Sequence, residues 1–390
     1  MKLQLKKAAG AVLSILFLAA CQKNIKQSSQ NEELTVSAAS ANSVTANAGE
    51  NSVGHVYTLS NETSGNRVID YSRSVNGTLT YSASFPSGGN GTGGGLGNQG
   101  GVVLSDNGEI LLAVNPGSNS VSSFKINDNG LVLVSTVNSG GMRPVSIAQH
   151  EDIVYVLNAG GTNNISGFHM SDNGTLQAIA NSTRPLSASN TGPAQISFVN
   201  EGKVVVITEK ATNKIVTYTI GDNGIPGMMH SLSSSSATPF GFAVGKNSNV
   251  FVSEAVGGAP GASVLSSYTI GNNGSISLAD GSVGAGQSAA CWVVVTNNGK
   301  YAYATNTASN NITRFGITNA GDITVSEAIA ATSTGAGPID AALSNNSKFL
   351  YVLNGGGHSI DVFSAAPNGT LTHLQTISGL VAGTNGLAVK

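Results

Sequence analysis

The stretch "NKIVTYTIGDNG", residues 213–224, decides the fold. Its first eight residues alternate in polarity, the period of a β-strand. The closing Asn-Gly supplies the positive φ angles of a tight hairpin turn. Tyr218 stands six residues before Gly224, and this spacing recurs along the chain. The other pairs are Tyr71 and Gly77, Phe124 and Gly130, Phe168 and Gly174, Tyr268 and Gly274, Phe315 and Gly321, and Phe363 and Gly369. Successive glycines lie 44 to 53 residues apart, which marks an internal repeat. Upstream in the units lies a second apolar run: "VYVLNA" (154–159), "VFVSEA" (250–255), "AYATNT" (302–307), "LYVLNG" (350–355).

About four short antiparallel strands per unit, at this period, describe one blade of a β-propeller. The expected fold is therefore all-β: a seven-bladed β-propeller over residues 53–390, with four antiparallel strands per blade. The first unit lacks an innermost strand. The last residues, "GTNGLAVK" (383–390), resemble the innermost segments "TPFGFAVG" (238–245) and "GPIDAALS" (337–344). The C-terminal strand is thus expected to complete blade 1, closing the ring and removing two open sheet edges. A β-helix or a sandwich is the alternative.

Composition agrees. Only 10% of the 390 residues are charged, and glycine alone contributes 50. Such a chain is poor in helix formers and rich in turn and strand residues. Residues 1–20 stand apart, with Lys2, Lys6 and Lys7 before an apolar run, which reads as a secretory signal. The run is about half of the ~20 residues that span a bilayer. It ends in "LAAC" (18–21), which resembles the lipobox of bacterial lipoproteins and implies lipidation of Cys21. Residues 21–52 then read as a flexible tether. The expected location is the bacterial cell envelope, lipid-anchored, at an outer membrane facing the periplasm or at the surface. Loss of the three leader lysines takes the basic count from 18 to 15 against 20 acidic residues, a net charge of −5. That balance excludes a nucleic-acid partner, which needs clustered Lys and Arg. A monomer is expected.

In propellers the ends of the second strands and the starts of the innermost strands converge on one face of a central channel, an analogy of fold. The first set here includes Asn158, Glu209, Glu254, Asn306 and Asn354; the second includes Gln195, Trp292 and Asp340. Asparagine in such a slot caps turns. Glutamate does that poorly, so Glu209 and Glu254 stand out as a facing acid pair whose mutual repulsion would raise the proton affinity of one. That is the state of a general acid. Lys210 and Lys214 lie close by in sequence for an anionic group, and Trp292 suits stacking on a sugar ring. The glycine-rich run at residues 88–101 reads as a flexible loop between blades, since no helix follows it to make a phosphate site. The six histidines lack metal-ligand spacing, and no Gly-x-Ser-x-Gly elbow is present.

The segments "YVLN", "NNITRF" and "NGTL", set in seven units, resemble the seven-bladed propeller lactonase family, which includes 6-phosphogluconolactonase-like enzymes and carboxymuconate cyclases. The resemblance runs from about residue 53 to 390. It implies opening or closing of a lactone ring on a sugar acid or similar small molecule, without a metal or other cofactor. Glu254 matches the family's glutamate at the end of the second strand of blade 5, and Lys214 stands where the family favours arginine. Phe240-Gly241 replaces the family's arginine–histidine pair. Two further readings stand beside lactone chemistry. One is a non-catalytic propeller binding a glycan, peptide or protein partner. The other is a calcium site from Glu209, Glu254, Asp340 and Asn306, oxygen ligands of the kind calcium takes.

Overall fold

A computed structural model describes residues 52–390; Cys21 and the leader lie outside the described residues. Seven sheets are present, each a run of antiparallel strands in chain order from innermost to outermost. The exception is blade 1, whose innermost strand is Asn385–Val389, paired with Ser52–Leu59. The C-terminus therefore closes the ring, as the sequence implies. Blade 3 adds a fifth, two-residue strand, Arg184–Pro185.

The repeat has a physical meaning on each face. On one face, six of the seven turn glycines accept a hydrogen bond from a hydroxyl of the preceding blade. Tyr155 donates to the carbonyl of Gly224 (2.5 Å), Tyr303 to Gly369 (2.7 Å) and Tyr351 to Gly77 (2.9 Å). Ser123, Thr217 and Ser267 do the same for Gly174, Gly274 and Gly321. Glycine is needed there twice over. At Gly77 φ is +88°, and a Cβ would lie 2.2 Å from the Phe349 ring of the preceding blade. The tyrosine of "YVLN" thus rivets its blade to the next one, and burial pushes the Tyr155 and Tyr351 hydroxyls well above their usual range.

Between blades, alternate residues of each second strand point to opposite seams. In blade 5, Val250 and Val252 pack toward blade 4 with Val204 and Val206, while Phe251 packs toward blade 6 with Val293 and Ala302. These strands are buried on both sides and read as near-continuous apolar runs.

Candidate functional site

The opposite face carries the ends of the second strands, and the same alternation dictates where those end residues point. Glu254 shares its side of the strand with Val250 and Val252, so it enters the seam between blades 4 and 5. It is fully buried. Oε1 accepts from the Tyr268 hydroxyl (2.8 Å) and Oε2 from the Ser266 hydroxyl (2.7 Å). Ser235 and Ser236, in the connector from blade 4, add backbone hydrogen bonds. Burial raises its pKa, and those donors oppose the rise.

Glu209 lies on the side of its strand shared with Val205 and Ile207, in the seam between blades 3 and 4. It accepts from the backbone N–H of Ser187 (2.9 Å) and from the hydroxyls of Ser187 and Thr212. The sheet of blade 4 therefore stands between the two carboxylates. They are not a facing pair, which corrects the expectation of a shared proton.

The slot ties the end of the second strand to its surroundings. Asn158 donates to the carbonyl of Ser139 (3.1 Å), and Asn354 accepts from Ser333; both serines lie in the connector from the preceding blade. Asn306 bonds across to Asn311 (2.8 Å) and Thr313 (2.9 Å) on its neighbouring strand. Glu209 and Glu254 perform the same tie with a longer reach. Lys214 begins a third strand, opposite Glu209 in register. It too lies off the channel axis. The three asparagines, both glutamates and Lys214 are thus not brought to a common mouth. The proposed calcium set is likewise divided among separate seams and blade 7. Among the described residues no group of three or more His, Cys, Asp or Glu is placed to hold a metal.

Gln195, Trp292 and Asp340 lie on innermost strands, and a segment of the chain itself is bonded to Trp292 and to Lys210. Residues 96–101, the end of the glycine-rich run, cross the channel. Gln99 donates its amide to the carbonyl of Val293 in blade 6 (2.9 Å), and its backbone N–H to Ala194 in blade 4 (3.1 Å). Asn98 donates to the carbonyl of Val145 in blade 3 and accepts from Asn385 of the closing strand (3.0 Å). The Trp292 indole donates to the carbonyl of Asn98 (2.6 Å). Lys210 donates to the carbonyl of Gly97 with its amine 4.4 Å from the centre of the Phe240 ring. This run is therefore a plug, which corrects its reading as a flexible loop.

Gly241 packs against both the plug and blade 6. A Cβ there would lie 2.3 Å from the Gln99 amide oxygen and 2.6 Å from the Cys291 carbonyl. The second contact is backbone, so no larger residue fits wherever Gln99 lies. Trp292 is 1% exposed and packs on Phe240 at 5.0 Å between ring centres, so it offers no open face to a sugar. The Gln195 amide is consumed by the backbone N–H (2.7 Å) and carbonyl (3.0 Å) of Phe242.

Two titrating groups are left on the axis. Lys210 is half-buried as a residue, but its amine is enclosed, and desolvation with the nearby Arg143 charge lowers its pKa to about 7. Asp340 is 1% exposed; burial raises its pKa to about 8. Its Oδ1 accepts from the backbone of Ala341 (2.8 Å), and Oδ2 has no partner. Asn98 and Gln99 escaped the sequence reading because they occur once, outside the repeat.

A family model described as lactonase, 7-bladed β-propeller, matches residues 48–185 and 279–388. The span between the two matched stretches contains blade 4 and most of blade 5. No curated protein matches the chain. Among solved structures, a candidate 6-phosphogluconolactonase from Bacteroides uniformis is 18% identical, with a TM-score of 0.67 over 86% of this chain and 99% of that one. The periplasmic gluconolactonase of Pseudomonas aeruginosa is 14% identical, with a TM-score of 0.67 over 86% of this chain and 98% of that one. A hypothetical selenium-binding protein from Sulfolobus tokodaii is 10% identical, with a TM-score of 0.64 over 87% and 94%.

Proposed function

The chain belongs to the seven-bladed β-propeller lactonases, and within that family we propose that it is a lipid-anchored envelope protein that binds its ligand without turning it over. One observation carries the reading: residues 96–101 fill the channel axis and are bonded to blades 1, 3, 4 and 6. A substrate at the family's usual place would have to displace these bonds. The glutamate that matches the family motif, Glu254, is saturated with donors in a seam.

Acid release from δ-gluconolactone and related sugar lactones tests this. The expected result is release at the spontaneous rate, equal for the wild type and for Glu254→Gln. Turnover above the spontaneous rate would overturn the reading, and its loss in Glu254→Gln would make that residue catalytic.

A second reading is favoured by one observation. Lys210 and Asp340 have values near 7 and 8, close to the pH where acid–base catalysis works best. If the plug opens as a lid, these two residues, rather than the glutamates, would handle a lactone. Turnover lost in both Asp340→Asn and Lys210→Met, but kept in Glu254→Gln, would identify that case.

The anchor rests on "LAAC" at residues 18–21. No described helix is long and apolar enough to cross a membrane. Cys21→Ser is expected to move the protein from the membrane fraction to the soluble envelope fraction, read by detergent-phase partition. Retention in the membrane fraction would exclude Cys21 as the anchor.

A further inference from the structure

Blades 7 and 1 meet where the closing strand joins the two ends of the chain, and their seam opens outward on the plugged face. A cleft of about 390 Å³ lies there, lined by Tyr71, Tyr81, Ile69, Glu62, Arg67 and Val381, among others. This lies within the ~300–1,000 Å³ typical of ligand pockets. The cleft is away from the axis, so the plug does not obstruct it.

Its walls are of two kinds. Tyr81 is 46% exposed and is held edge-to-face by Tyr71 at 6.0 Å, presenting a fixed aromatic surface. Ile69 and Val381 extend that apolar wall. Polar groups stand at the rim. Arg67 donates through Nε to the Ser84 hydroxyl (2.5 Å) and through Nη2 to the Ser84 carbonyl (2.8 Å), which fixes one edge of the guanidinium. Glu62 supplies a carboxylate at the same cleft.

The polar set is mixed in sign, with Arg67 a donor and Glu62 an acceptor. An anion would meet Glu62, and a cation would meet Arg67. A hydroxyl donates to one and accepts from the other at no such cost. A pyranose ring presents a C–H face to an aromatic wall and hydroxyls around its edge.

We propose that the cleft between blades 7 and 1 is a binding site for a neutral saccharide. It supplies the ligand site required by the binding reading above, on which it rests. The test is saturation-transfer NMR and titration on the full-length protein in detergent. The probes are maltose, cellobiose and N,N′-diacetylchitobiose, with glucuronate and glucosamine as charged comparators. At least one neutral disaccharide is expected to bind more tightly than either comparator. Tyr81→Ala is expected to weaken that binding at least about tenfold, and Tyr81→Phe to preserve it. A thermal melt checks that each variant is folded. Should Tyr81→Ala fail to fold, Val381→Trp fills the cleft and is expected to give the same loss.

Binding by none of the three neutral probes, binding indifferent to these substitutions, or tighter binding of a charged comparator would overturn the site. Those results leave the closed axis intact. Lactone turnover, conversely, would remove the binding-only reading and leave the cleft in place.

Discussion

Asp340→Asn is expected to raise the melting temperature by several degrees at pH 7.5 and to leave it nearly unchanged at pH 4. The carboxyl of Asp340 is enclosed on the axis, with Oδ2 lacking any partner. Desolvation raises its pKa from 3.8 to about 8, against backbone hydrogen bonds from Ala341 and Leu387 that favour the ionised form. The folded protein thus holds this proton where the unfolded chain has lost it. Stability from the neutral carboxyl is fully present below pH 3.8 and drains away as pH rises toward 8. Each pH unit in that window costs about 1.4 kcal/mol, so the upper limit at pH 7.5 is roughly 5 kcal/mol. Asparagine keeps an oxygen for the two backbone donors and has no proton to lose. Melting curves at half-unit steps between pH 4 and 8 check the claim. A wild-type minus mutant difference that stays flat with pH would show that Asp340 is ionised in the fold and has found a partner on the axis.

The ring was legible because its signals repeat. An aromatic six residues before a turn glycine appears in every blade, since every blade needs the same turn and the same seam. Ring closure was legible for the same reason: residues 383–390 resemble innermost strands elsewhere. The direction of Glu254 was also present in the sequence. It lies two and four residues from Val252 and Val250, so strand alternation assigns it to a seam. The contrast between glutamate and asparagine drew attention away from that parity. The plug had no such signal. Its amides occur once, between glycines, and nothing in residues 96–101 says that they cross a channel rather than leave it open. The missing side chain at Gly241 answers to two contacts distant in the chain, the Gln99 amide and the Cys291 main-chain carbonyl.

Asn98→Ala should expose that dependence most sharply. Asn98 is 1% exposed. Its amide nitrogen donates to the carbonyl of Val145 and its amide oxygen accepts from Asn385 at 3.0 Å, tying blade 3 to the closing strand of blade 1 through the plug. Alanine leaves both partners buried and unpaired, and each such group costs ~1–3 kcal/mol. A total loss of about 3–5 kcal/mol is expected, large against the 5–15 kcal/mol that holds a typical domain. The fluorescence of Trp292, the protein's only tryptophan, reports whether the loss is local or global. Its indole donates to the carbonyl of Asn98, and the plug helps keep the ring from water. If the plug loosens, emission shifts to longer wavelength and quenching by acrylamide rises well below the melting temperature. Lys210 then loses its bond to Gly97 and regains water, so its amine moves back up toward its ordinary 10.5, measurable by amine labelling against pH. A variant that melts within about 0.5 kcal/mol of wild type, a difference ordinary for a surface substitution, with unchanged emission, would mean that Asn98 does not hold the plug. The plug would then be held by the bonds that alanine leaves in place, those of Gln99, Lys210 and Trp292.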